Sequence, residues 1–133
     1  MRVVGWLMVA CLAFAAPAYA QGSAAAACDA LAPPARSGCL EKLVNAADAT
    51  LNQVYQRAVA VIEKSDSDHV AAWKAELKKS EQAWIAFRDA DCGALIGYEW
   101  GHGTGMGSAT QSCLLEKTAR RAGELIARYG DRR

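Results

Sequence analysis

One apolar stripe decides most of what this chain can become. Leu40, Leu43, Val44, Ala47, Leu51, Val54, Tyr55, Ala58, Val61 and Ile62 recur at spacings of three and four. That is the period of an amphipathic helix and not the alternation of a strand. The stripe predicts a long first helix over 37–64. Ser65, Asp66, Ser67 and Asp68 break it and offer N-caps to the next helix. The second helix is predicted over 68–98. Val70, Trp73, Leu77, Trp84, Phe87 and Leu95 line one side of it, and Lys74, Glu76, Lys78 and Lys79 cover the other. Glycine at every second position from Gly101 to Gly107 cannot sustain a helix and predicts a flexible loop. Ser108 with Gln111 three residues later forms a capping-box pattern. It opens a third helix over 109–129, with Leu114, Leu115, Leu125, Ile126 and Tyr129 as apolar positions and Gly130 as a stop. No strand signal of useful length and no internal repeat is present. Short connections set neighbouring helices antiparallel. The expected fold class is therefore all-α: a small antiparallel three-helix bundle with a glycine-rich loop between helices two and three.

The segments ahead of the stripe read differently. Arg2 supplies a short positive start, Val3 to Ala16 is an almost unbroken apolar run, and Ala18-Tyr19-Ala20 places small residues around a cut before Gln21. That is the pattern of a secretory signal peptide over 1–20, too short and wrongly flanked for a stable membrane anchor. Neither Cys11 nor Cys28 has the leucine three residues upstream that a lipid-anchor site requires. The expectation is a periplasmic or secreted protein with no membrane insertion of the mature chain. Residues 21–36, rich in alanine and carrying Pro33-Pro34, read as an irregular lead-in tethered through Cys28, and 37–130 as the helical domain. The whole chain has 15 basic and 14 acidic residues. Arg2 departs with the leader, so the mature chain is formally neutral, which points away from nucleic acid and from anionic membranes.

Loss of Cys11 leaves Cys28, Cys39, Cys92 and Cys113, an even set in a short exported chain, hence a disulfide framework. The set allows three pairings, of which Cys28–Cys39 with Cys92–Cys113 is preferred. Cys92 falls roughly 9 Å before the end of helix two and Cys113 roughly 7 Å into helix three, at 1.5 Å of rise per residue. Across a hairpin these heights match. Both staples and the glycine loop should therefore cluster at one end. No CxxC or HxxxH spacing supports zinc, and no metal or cofactor is expected.

A catalytic constellation is not evident. His69 reads as a solvated residue in the first turn of helix two, and His102 lies in the loop. There is no GxSxG elbow, no phosphate-binding loop and no GxGxxG match. Glu99 and Glu116 could be imagined as a glycosidase pair, but nothing fixes their separation. Trp73 and Trp84 lie on the apolar stripe as core residues. Trp100 sits at the loop edge, either as a contact residue or folded back over the bundle end.

The run Gln82-Ala83-Trp84-Ile85-Ala86-Phe87-Arg88-Asp89-Ala90-Asp91-Cys92 resembles a signature of the lysozyme inhibitor LprI family. Asp48, Leu51, Asn52 and Tyr55 are similar to the family's pattern on helix one. Cys113, Thr118, Arg121, Glu124 and Leu125 are similar to its closing pattern. The resemblance covers about residues 28–126. It implies a helical exported domain of the bacterial envelope with paired cysteines, not an enzyme. It also implies a protein partner of the lysozyme-type muramidase class. In plain physical terms Trp84 and Phe87 bury area, while Asp48, Asn52, Arg88 and Asp89 are placed to form a polar network between helices one and two. The binding end would then present Tyr98, Glu99, Trp100, His102, Thr104 and Ser108. The alternatives are a periplasmic interaction, adaptor or immunity-type module that leaves lysozyme alone, and a small hydrolase.

Overall fold

The computed structural model describes residues 25–130. The expected signal peptide and its cut after Ala20 lie outside the described residues. The regular structure among those described is all helical, with no strand. A helical turn at 25–29 precedes α1, Pro33–Glu63, of 31 residues. The helix α2 spans Val70–Ala90. It runs on through a wide π-type turn, Asp91–Leu95, into the short α3, Ile96–Glu99. The last helix, α4, spans Met106–Tyr129.

Three boundaries differ from the expectation. The first helix starts at Pro33, because proline at the first helical position brings a fixed φ and no N–H to leave unsatisfied. Much of the predicted irregular lead-in is thus helical. The last helix opens at Met106 behind Gly105 with no side-chain cap, so Ser108 and Gln111 lie inside it and form no capping box. Gly130 follows α4 in right-handed geometry, not the left-handed form of a glycine cap.

Most of the inter-helix packing joins α1 to α4. They run in the same direction. At one end Ser37 lies against Gly107, and at the other Ile62 shares a core with Leu125 and Tyr129. That core also takes Leu51, Val54, Ala58, Leu77 and Ala122, with Trp73, Trp84 and Tyr55 packed on its margin. A second core at the opposite end consists of Leu40, Val44, Ala47, Leu115 and Cys28, with nothing from α2. The cystine there fills space that a third helix would otherwise fill.

Cys28 is joined to Cys39 and Cys92 to Cys113, with Cα separations of 5.7 and 5.5 Å. These are the pairings preferred from the sequence. Two residues placed on the apolar side of helix two are not buried. Phe87 is 56% exposed, lying on the flank of the inward face beneath the Lys117 ammonium, 4.8 Å from its ring centroid. Leu95 is exposed because the π-type turn adds a residue to the helical register, after which Gly97 is the inward position. On α4, Ile126 is exposed beside the fully buried Leu125.

Candidate protein-binding end and its polar braces

The loop 100–105 owes its shape to the way α3 stops. The His102 N–H donates to the Gly97 carbonyl at 2.9 Å and the Gly101 N–H to the Tyr98 carbonyl at 3.2 Å. This paired arrangement is the Schellman ending of a helix, and it requires a left-handed residue just past the cap. Gly101 supplies it at φ 58°. His102 follows at φ 54°, a conformation that costs a residue with a Cβ about 1 kcal/mol or more. The turn pivots His102 back under Tyr98, ring edge to ring face, at 5.4 Å between centroids.

Trp100 does part of each thing expected of it. Its ring folds across Gly105, where an added Cβ would lie 2.9 Å from the indole, yet the side chain stays 55% exposed. Tyr98 is 77% exposed. Trp100 forms one wall of a groove of about 550 Å³, whose other walls include Leu31, Pro33, Ile96 and Ser108, with Arg36 and Glu116 at its edge. The structure thus gathers Tyr98, Trp100, His102 and Ser108 at the stapled end. Glu99 and Thr104 are exposed nearby in the chain and do not line the groove.

Two polar braces hold this end to the rest. In the first, the Arg88 guanidinium donates through Nη1 to Asp48 of α1 at 2.8 Å and to the buried Thr118 hydroxyl of α4 at 3.1 Å. Its Nε donates to Asp89 at 3.0 Å, and the guanidinium carbon lies 5.2 Å from the Trp84 ring. One side chain therefore ties three helices. Asn52, expected in this network, is exposed and outside it, while Thr118 takes the place given to it. In the second brace Arg121 of α4 binds Glu81 of α2, with Glu124 and Ser80 as further acceptors. The hydrogen bond to Glu81 holds the Arg121 guanidinium above its ordinary value, against the opposing effect of burial, and Glu124 adds to the rise.

Glu81 went unnoticed in the sequence, although a signal exists. Trp73, Leu77, Glu81, Trp84 and Arg88 are spaced by four, four, three and four. Two charged residues therefore sit on the inward face of α2, where a charge needs a partner. Nearer the staples, Lys117 bridges to Asp91 at 2.8 Å. Asp91, Cys92 and Cys113 bring potential ligand atoms within 4.8 Å of one another. Both sulfurs are committed to a disulfide, which leaves a cation only a carboxylate already held by lysine. Among the described residues no helix is long and apolar enough to cross a membrane.

The sequence is similar to those of other proteins. An uncharacterized protein of Rhizobium meliloti (strain 1021) is 35% identical over 94 residues, 65% of this chain and 66% of that protein. The uncharacterized protein YecT of Escherichia coli (strain K12) is 37% identical over 65 residues, 46% of this chain and 40% of that protein. The matches thus span just under two thirds of the first relative's length and less than half of the second's. No solved structure matches. The family described as Lysozyme inhibitor LprI matches residues 23–125, a span that contains both cystines, both polar braces and the loop. On that match this chain belongs to the LprI lysozyme-inhibitor family.

Proposed function

We propose that this chain is an exported inhibitor of a lysozyme-type muramidase, acting by protein–protein binding. It presents the stapled end of an antiparallel three-helix bundle to the enzyme's cleft. The family match over 23–125 carries this reading. The geometry of the loop supports the choice of surface. Tyr98 in the short α3 and Trp100 just after it are large aromatic side chains left in solvent near the Cys92–Cys113 cystine, and aromatic anchors of low conformational freedom dominate binding energy at interfaces. Ser108 and Glu99 flank them as polar rim, with His102 fixing Tyr98. Two disulfides fit a periplasmic or extracellular location, reached by cleavage of a signal peptide after Ala20.

The formal charge of the whole chain is +1, so association should owe little to long-range steering and depend weakly on salt. The test is turnover of c-, g- and i-type lysozymes in the presence of purified, oxidised protein. Slowing of one class at micromolar protein supports the proposal. No slowing of any class removes it in favour of an adaptor or immunity-type partner binder.

A further inference from the structure

A larger cavity lies at the opposite end of the molecule from the loop. It measures about 840 Å³, within the size range of sites that take small molecules. Its apolar lining comes from Val54, Ala58 and Val61 on α1, Trp73 on α2, and Leu125 and Ile126 on α4. Val54 to Val61 covers two helical turns, so this lining extends roughly 10 Å along the helix axis. Ile126 is a large aliphatic side chain left exposed at its rim. Trp73 donates toward the Tyr129 hydroxyl at 3.4 Å, which directs the polar edge of the indole to that hydroxyl.

The charged residues around the cavity are Arg57, Lys64 and Asp66. Arg57 and Lys64 are seven residues apart on α1, hence on one face of it. Neither has an ion-pair partner among the described residues. Arg57 has no acid at helical pairing distance, since Gln53, Val54, Ala60 and Val61 occupy those positions. This contrasts with Arg88, Lys117 and Arg121, each of which holds a carboxylate. An elongated apolar trough edged by two cations outside any ion pair among the described residues, against the single carboxylate of Asp66, is complementary to a chain with an apolar tail and an anionic head.

The geometry points to a binding site here for a single-chain anionic amphiphile of the fatty-acid type. The alkyl chain lies against Val61, Trp73 and Ile126, over the core residues Val54 and Ala58, and the carboxylate is held between Arg57 and Lys64. This site is separate from the loop proposed to meet lysozyme and does not depend on that function.

Titration with laurate, followed by backbone amide shifts, tests it, with dodecyltrimethylammonium as the cation of matching chain length. Saturable shifts at Ala58, Val61, Trp73 and Ile126 with laurate alone are expected. The double substitution Arg57→Glu with Lys64→Glu, at two exposed positions, should keep the melting temperature and lysozyme inhibition while weakening laurate at least about tenfold. Absence of saturable shifts up to about 1 mM laurate, a threshold at the weak end of the affinity scale, would overturn the proposal. So would equal binding of the two amphiphiles, or unchanged laurate affinity in the double variant.

Discussion

Two nitrogens of Arg121, Nε and Nη2, converge on one oxygen of Glu81, and both side chains are only 11% exposed. This pair joins α4 to α2 at a place where the apolar contact between these helices is thin. Loss of either partner leaves a nearly buried charge alone, at a cost of about 3 kcal/mol or more. Glu81→Ala and Arg121→Ala should each lower stability by that order in urea unfolding. The paired replacement Glu81→Leu with Arg121→Met should cost much less than the two single losses summed, because an apolar pair needs no desolvation of charge.

The pH dependence of that pair follows from the direction of the Arg121 shift. Its folded value is raised above that of a free guanidinium, chiefly by the hydrogen bond to Glu81. A raised value in a cationic group contributes stability that is fully present below the unfolded value and lost only as pH climbs through the folded one. The Arg121 contribution should therefore stay constant between about pH 6 and pH 9. Urea midpoints of the parent and of Arg121→Ala, measured across that range, should keep a constant separation.

Arg88 has a different balance of partners. Asp48 is 41% exposed while Arg88 is 14% exposed, so the ion pair itself is partly screened and contributes at most about 1 kcal/mol. The hydrogen bond to the fully buried Thr118 hydroxyl is unscreened. Arg88→Ala should thus cost about 2 kcal/mol, clearly more than Asp48→Asn, and Thr118→Val should recover part of the Arg88→Ala loss by removing the unsatisfied hydroxyl. Thermal or urea unfolding of the three variants measures the order.

The two cystines close loops of 11 and 21 residues, for which chain entropy gives about 3 kcal/mol each. Their functional consequences should differ. Cys92→Ser with Cys113→Ser frees the segment that carries Tyr98 and Trp100 and should raise amide exchange across 96–105. Cys28→Ser with Cys39→Ser should raise exchange at 25–36 and leave 96–105 nearly unchanged.

The stripe from Leu40 to Ile62 is legible in sequence because a regular period leaves one way to bury it, and seven of its positions are buried on α1. The cysteine pairing is legible because the helix lengths bring Cys92 and Cys113 to one height. The exposure of Leu95 is not, because a single extra residue in the turn at Gly93 rotates everything after it and leaves no compositional mark. Burial of Phe87 failed for a related reason. An aromatic one position off the inward face can be satisfied by a lysine from another helix, and Lys117 is thirty positions away in the chain. At the loop, Gly101 announces a left-handed turn, but the placement of Trp100 over Gly105 depends on which face of the indole meets the turn, a tertiary matter. The signature residues Arg88, Thr118, Arg121 and Glu124 prove to be braces between helices, whereas the exposed aromatics that the functional reading rests on lie outside the signature.

The central claim is that inhibition resides at the stapled end, and comparison of two substitutions tests it most directly. Trp100→Ala removes the exposed indole beside the groove, and Lys78→Ala alters an exposed residue on α2 with no part in either brace. In a lysozyme turnover assay with oxidised protein, Trp100→Ala should weaken inhibition at least about tenfold, as loss of an aromatic anchor does, while Lys78→Ala should leave it unchanged. Full inhibition by a folded Trp100→Ala protein would contradict the account.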